Sequence, residues 1–207
     1  MSLTSQIASA LPTLVPGGIS SLSPAAGSLE QAQAVQTDLL NFACRSAIAA
    51  GFYSSALGTP NLYPASSTDQ MNLNMRMNAA NAALIAIPWV PGATRTKGTV
   101  VMAPTKQAFI CVKEGTSSAN PQNWDVTVGG VVDDGTCVWK TWTTHFKCQN
   151  AQGVWSNAVH TATQARQVGI DGEAAISEIL KLNSDLQLQV QAANSIESVQ
   201  AITWPTS

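Results

Sequence analysis

The clearest shortage in this sequence is charge. Only 11% of its 207 residues are charged, whereas about 25% is typical of soluble domains. The net charge of −2 provides neither the basic patch of a nucleic-acid-binding protein nor a surface attracted to anionic lipid. Because a neutral polar surface suits a subunit that packs against copies of itself, we expect a homo-oligomer and no nucleic-acid partner.

Signals for export and membrane insertion are also missing. No positive residue precedes Arg45, so a secretory signal peptide is not predicted. No apolar run approaches the roughly 18–20 residues of a membrane span. The four cysteines (Cys44, Cys111, Cys137 and Cys148) form no CxxC pair, and we expect reduced thiols. Cys111 and Cys137 fall in expected strands, where they could pair under oxidising conditions.

Residues that commonly carry catalysis are scarce. The chain has two histidines, His145 and His160, and no P-loop, G-x-S-x-G or H-E-x-x-H motif. A metal site formed by His145, Cys148 and His160 would lack a fourth ligand. We expect His160 to form a hydrogen bond near the start of a helix. The sequence therefore predicts no enzyme, no metal and no cofactor.

Helical patterns occupy both ends of the chain. Proline, glycine and serine interrupt residues 1–27, where regular aliphatic side chains predict an extended docking arm. Ser28 and Gln31 fit a capping box at the start of a helix, and Gly51 can end it. A second helix is predicted from about residue 70 to 85, with Asp69 as its cap.

The longest helix is predicted near the C-terminus. Its apolar residues recur in steps of three, four and seven and include Leu182, Leu186 and Val190. Such a pattern most often reflects packing within one chain. Because charge is so scarce, we favour an oligomer interface at these three residues and keep intramolecular packing as the alternative.

The middle of the chain changes character. Residues 89–142 contain β-branched runs, the turn pairs Gly129-Gly130 and Asp134-Gly135, and four tryptophans. We predict a small antiparallel β-module, inserted into a discontinuous helical domain formed by residues 28–88 and 143–207. The expected fold class is α+β, with long N- and C-terminal helices and a short hairpin.

Two interpretations of the module's tryptophans are open. An exposed indole can stack on a sugar, which predicts a glycan-binding site at Trp124 and Trp139, with Asn123 and Asp133 as hydrogen-bond partners. A β-module of this size also has little other material for a core, so the same two indoles could be buried.

The segments outside the module resemble a domain of unknown function found in tail-fibre and fibre-assembly proteins of tailed phages. The resemblance rests on these residues and segments: Cys44, "GFYSSALG" from Gly51, Tyr63, "DQMNL" from Asp69, Cys148, Gly153, Trp155, "HTATQARQV" from His160 and "AANSIESVQAITW". The module itself resembles small carbohydrate-binding-like units of phage tails. There the shared pattern is Gly-Thr-Ser, Pro-x-x-Trp and Asp-Gly-Thr-x-x-Trp.

The resemblance implies a structural protein of a phage tail or tail fibre. We therefore expect the protein in the virion tail, after synthesis and assembly in the bacterial cytoplasm. Its expected partners are other tail proteins, copies of itself (a trimer is favoured) and a host-surface polysaccharide. The alternative is a tail-fibre assembly chaperone that is absent from the finished particle.

Overall fold

The computed structural model describes residues 27–120 and 122–205. The predicted docking arm, residues 1–27, lies outside the described residues except for Gly27. The described chain contains four helices and eleven strands in three sheets, and it divides into two compact units. The described part of unit 1 comprises residues 27–53, 64–67 and 171–205, and unit 2 comprises residues 54–63 and the described part of 68–170.

Unit 1 is built from helices. They are α1 (Leu29–Ala49), the larger part of α3 (Ala162–Ala192) and α4 (Ile196–Gln200). The predicted start of α1 is confirmed, because the Gln31 backbone N–H donates to Ser28 Oγ at 3.2 Å. The Gln31 side chain accepts from Gly27 N rather than from Ser28 N. Gly51, with φ of 97°, follows the helix in the left-handed region as predicted.

Amide side chains bind the helices of unit 1 to one another. Gln36 Nε2 donates to the carbonyl oxygen of Ile202 at 2.6 Å. Asn41 Oδ1 accepts from Asn183 Nδ2 at 3.1 Å and from Gln187 Nε2 at 2.8 Å. These bonds need no charged group, so unit 1 can fix its helix pairing although the chain has few ionisable residues.

Unit 2 contains a four-stranded sheet. Its strands, in spatial order, are β1 (Phe52–Ser54, whose last residue begins unit 2), β2 (Asn61–Tyr63), β10 (Thr143–Gln149) and β11 (Trp155–Thr161). The hairpin of β10 and β11 turns at Gly153 (φ 77°), as predicted. Helix α2 (Ser67–Leu84) begins earlier than predicted, so Asp69 lies in its first turn.

The rest of unit 2 consists of shorter strands. A five-stranded sheet has the order β3 (Ile87–Pro88), β5 (Val100–Met102), β6 (Ala108–Lys113), β9 (Cys137–Thr141) and β8 (Val131–Asp134). A third sheet pairs β4 (Thr94–Arg95) with β7 (Gly115–Thr116). The β8–β9 turn is the predicted one at Gly135, where φ is 64°.

The predicted fold class is wrong. The described chain is a mixed, β-rich structure with helices, and it has no helical domain that carries only a short hairpin. The hairpin strands belong to a four-stranded sheet, and β3 pairs with β5 in parallel. β1 and β2 were not predicted, because three-residue strands are too short to show a hydrophobic period. The domain boundaries at 28, 89 and 143 stay a prediction.

Candidate functional site

A cluster of aromatic rings is buried against the five-stranded sheet of unit 2. Trp89, Phe109, Trp124 and Trp139 are all buried there, together with Val101, Val132 and two thiols. The ring centres of Trp124 and Phe109 are 4.7 Å apart, and those of Trp124 and Trp139 are 6.1 Å apart. Edge-to-face and tilted pairs at these distances are favourable, so the cluster forms the core of the sheet.

A buried carboxylate lies inside this core. Asp134 Oδ2 accepts the indole N–H of Trp89 at 2.8 Å and that of Trp139 at 2.9 Å. Its other oxygen accepts the backbone N–H of Ser118 at 2.9 Å. Because buried polar groups are costly unless they are hydrogen-bonded, these three donors explain how an acidic side chain is accommodated there. The arrangement is structural, since its polar atoms bind one another.

The residues predicted to bind a glycan do not meet at the surface. Trp124 and Trp139 are buried in the aromatic core, whereas Asn123 and Asp133 are exposed. Successive side chains of β8 point to opposite faces, which places Asp133 outside and Asp134 inside. No face of the two indoles is open for stacking on a sugar, so their placement corresponds to the alternative interpretation, a core role.

The residues predicted to form an oligomer interface pack against other residues of the same chain. Leu186 and Val190 are buried in the core of unit 1 with residues of α1 and α4, and Leu182 packs against the same core. This placement corresponds to the alternative of intramolecular packing. The helical period was correctly predicted, but the surface that covers it belongs to the same chain.

His160 takes part in a buried polar chain. Its Nδ1 lies 3.0 Å from the Ala158 carbonyl oxygen, and its Nε2 lies 2.8 Å from the Tyr63 hydroxyl. Because a carbonyl only accepts, Nδ1 carries the proton and Nε2 accepts from Tyr63. Burial lowers the pKa of His160. Burial also raises the pKa of the Cys148 thiol, an effect that its hydrogen bond with Tyr63 partly opposes.

This polar chain has the features of a structural site. Tyr63, Cys148 and His160 are all buried, so a substrate could not reach them without opening the sheet. His145 lies on the opposite face of β10 from Cys148, and the three side chains considered for metal binding therefore do not converge. In residues 27–120 and 122–205, no group of three or more metal-ligating side chains is placed to hold an ion.

Trp155 has an exposed indole, although the sequence did not lead us to predict it as a binding residue. Trp155 begins β11 and is 42% exposed. Lys147 Nζ lies 5.2 Å from the centre of its ring. The β10–β11 register places Trp155 and Asn157 on one face with His145 and Lys147, and these four side chains are exposed. The available signal was the polar alternation of "HFKCQ" and "WSN", with Trp155 on the polar face.

No family model, curated protein or solved structure matches this chain. No described helix is long and apolar enough to cross a membrane. The described surface offers two features that bear on function: the face around Trp155, and several large apolar side chains that remain uncovered.

Proposed function

We propose that this chain is a structural component of the virion tail of a tailed bacteriophage, acting through binding rather than catalysis. It would be synthesised and assembled in the bacterial cytoplasm and would remain in the particle. Its partners would be other tail proteins and further copies of itself, with a trimer favoured. The proposal draws on the resemblance of the segments around "GFYSSALG" and "HTATQARQV" to phage tail-fibre and fibre-assembly proteins.

One observation carries this proposal, namely the character of the described surface. Large apolar side chains are exposed on each of the three long helices, α1, α2 and α3, including Phe42, Met71, Met75 and Leu188. Only 11% of the sequence is charged. A sparsely charged surface with uncovered apolar side chains is typical of a subunit that contacts neighbours in an assembly.

The experiment that tests this proposal is mass spectrometry of purified particles of the phage that encodes the chain. A tail component should remain with particles through density-gradient purification, at a constant ratio to the other tail proteins. A tail-fibre assembly chaperone, the alternative, should be abundant in infected cells and missing from the particles. That second result would replace the structural role with the chaperone role.

A second observation favours contact with a host-surface glycan at the β10–β11 face. The exposed indole of Trp155 offers an apolar plane for the C–H face of a sugar. Lys147 and His145 share this face, and the register places no acidic side chain on it. This combination favours a sugar that carries a carboxylate. Affinity at one such site would be about millimolar, and several copies on one particle would raise it about a hundredfold or more.

Titration of the full chain with oligogalacturonate tests the glycan contact, with neutral galactose oligomers as the comparison. Tryptophan fluorescence should respond to the acidic oligomer more than to the neutral one. Trp155→Ala should abolish the response, and Val154→Ala, a change at the exposed neighbour, should preserve it. Equal responses of wild type and Trp155→Ala would remove this face from the proposal.

A further inference from the structure

Helix α2 carries a mostly apolar stripe that the other described residues leave uncovered. Its members are Met71, Met75, Asn78, Ala82 and, directly after the helix, Ile85. They follow one another in steps of four, three, four and three residues, which is the spacing of a coiled-coil seam. All five are exposed, and the exposed fractions of Met71, Met75 and Ile85 are 61%, 64% and 85%.

The opposite face of α2 is already used within unit 2. Ala80 and Ala83 are buried. Arg76 lies over the ring of Phe146, with 5.7 Å between its guanidinium carbon and the ring centre. A Cβ added at Gly169 would collide with the Met77 side chain, so the α3 backbone lies directly against Met77. The inner face therefore holds the helix in place, and the outer stripe contributes nothing to that packing.

The outer stripe and its margins contain no charged residue. The positions that flank the stripe are Asn72, Asn74, Ala79 and Asn81, and all four are exposed. In coiled coils the flanking positions select a different partner through opposite charges. Here that selection is absent, and two identical stripes can meet without burying or opposing a charge.

The middle of the stripe also suits pairing with itself. Asn78 is the central member, and an amide has both donors and acceptors. When two copies meet at this position, each Asn78 can donate to the other and accept from it. An apolar surface from another protein would leave the amide without a partner, which is costly in a buried interface.

We propose that this stripe, Met71–Met75–Asn78–Ala82–Ile85, is the surface through which the chain binds a second copy of itself. The inference rests on the self-association included in the proposed function, places it on α2 instead of α3, and makes the contact pairwise instead of trimeric. A seam of about two turns on either side of Asn78 buries less than the roughly 800 Å² per partner of a standard interface. Association in the micromolar range is therefore expected from this surface.

Sedimentation velocity of the purified full chain, from about 1 to about 100 µM, tests the inference. The wild type should shift from monomer towards a larger species, and the shift should persist in high salt because no ion pair is involved. Met75→Lys should weaken association at least about tenfold, or about 1.4 kcal/mol, while circular dichroism stays unchanged. Leu188→Lys, a change at another exposed apolar residue, should leave association intact.

A cysteine at the centre of the stripe gives an independent measurement. Asn78→Cys should produce a disulfide-linked species of doubled mass under a mild oxidant, since equivalent positions meet there. Leu188→Cys should remain monomeric on the same non-reducing gel, as should the wild type, whose four thiols are buried.

A monomeric wild type at about 100 µM in sedimentation, or equal effects of the lysine substitutions at positions 75 and 188, would overturn the inference. Binding of a monomeric wild type to phosphatidylcholine vesicles would overturn it as well. These measurements use the isolated chain, so their failure would leave the particle test of the proposed function unaffected.

Discussion

Trp139 donates its indole N–H to Asp134 Oδ2 at 2.9 Å, across the turn that joins β8 to β9. The same oxygen accepts from Trp89, which follows β3 at the opposite edge of the five-stranded sheet. One oxygen of this carboxylate thus links Trp89 to Trp139, and the other accepts the Ser118 backbone N–H. The tryptophan content that suggested sugar binding serves this internal arrangement.

Asp134→Asn should destabilise unit 2. Asparagine keeps only one of the two acceptor oxygens, so either the Ser118 backbone N–H or both indole N–H groups lose their acceptor and face an N–H donor instead. Hydrogen bonds to charged groups contribute about 1.5–3 kcal/mol each, and we expect a loss of roughly 2–4 kcal/mol. Urea unfolding followed by tryptophan fluorescence measures it. Asp133→Asn, at the exposed neighbour, should change stability by less than about 0.5 kcal/mol, and equal effects at the two positions would contradict the role assigned to Asp134.

Local signals in the sequence predicted the elements but not which side chains they bury. Ser28, Gly51, Gly135 and Gly153 act through their own backbone and immediate neighbours, and their helix ends and turns are confirmed. Burial depends on elements that are distant in sequence. A strand pattern marks two faces without showing which one another element covers. The alternation around Trp139 therefore did not show that its face is buried, whereas the polar residues beside Trp155 marked its face as the polar one.

The same limit applies to the helices. The spacing of Leu182, Leu186 and Val190 correctly indicates a covered face, but periodicity cannot show whether the cover belongs to the same chain. In α2, the step pattern from Met71 to Ile85 was available in the sequence. Because the inner face of this helix also carries apolar residues, the period alone could not identify the outer stripe as the uncovered one.

Leu186→Ala should destabilise unit 1 by roughly 2–4 kcal/mol, because it removes buried methyl groups and leaves a cavity. Leu188→Ala lies two residues further along α3, where the side chain is 60% exposed, and should cost less than about 0.5 kcal/mol. Thermal unfolding followed by helical circular dichroism measures both. If Leu186→Ala left stability unchanged and only reduced the oligomer mass, the intramolecular role of this residue would be refuted.

Gly172→Ala should destabilise the chain although alanine is the better helix former by about 1 kcal/mol. A Cβ at Gly172 would lie 2.7 Å from the ring of Phe52, which is buried and rigid. Overpacking typically costs about 1–3 kcal/mol, so we expect a net loss of about 1 kcal/mol or more. Gly169→Ala is the matched comparison, since its new Cβ would meet the flexible end of Met77. Denaturant midpoints should fall further for position 172, and the reverse order would show that the Phe52 contact is unimportant.

The buried His160 should make stability depend on pH below neutrality. Burial lowers the pKa of its imidazole in the folded chain; the hydrogen bond to the Ala158 carbonyl partly opposes this effect, and His145 adds a smaller lowering. An unfolded histidine has a pKa of about 6.5. The unfolded state therefore binds the proton more readily. This contribution to stability is fully present above about pH 6.5 and is lost as the pH falls from there through the folded pKa.

Urea unfolding at several values between about pH 7 and about pH 5.5 measures this effect, with a limiting slope of about 1.4 kcal/mol per pH unit. His160→Gln should be less stable at neutral pH, because Tyr63 loses its acceptor, and its stability should vary little with pH. His145→Gln removes the exposed histidine and its small effect on the His160 pKa, so most of the wild-type dependence of stability on pH should remain. If the free energy of unfolding of the wild type were constant across this range, the prediction would be wrong. His160 would then bind a proton as readily in the folded chain as in the unfolded chain.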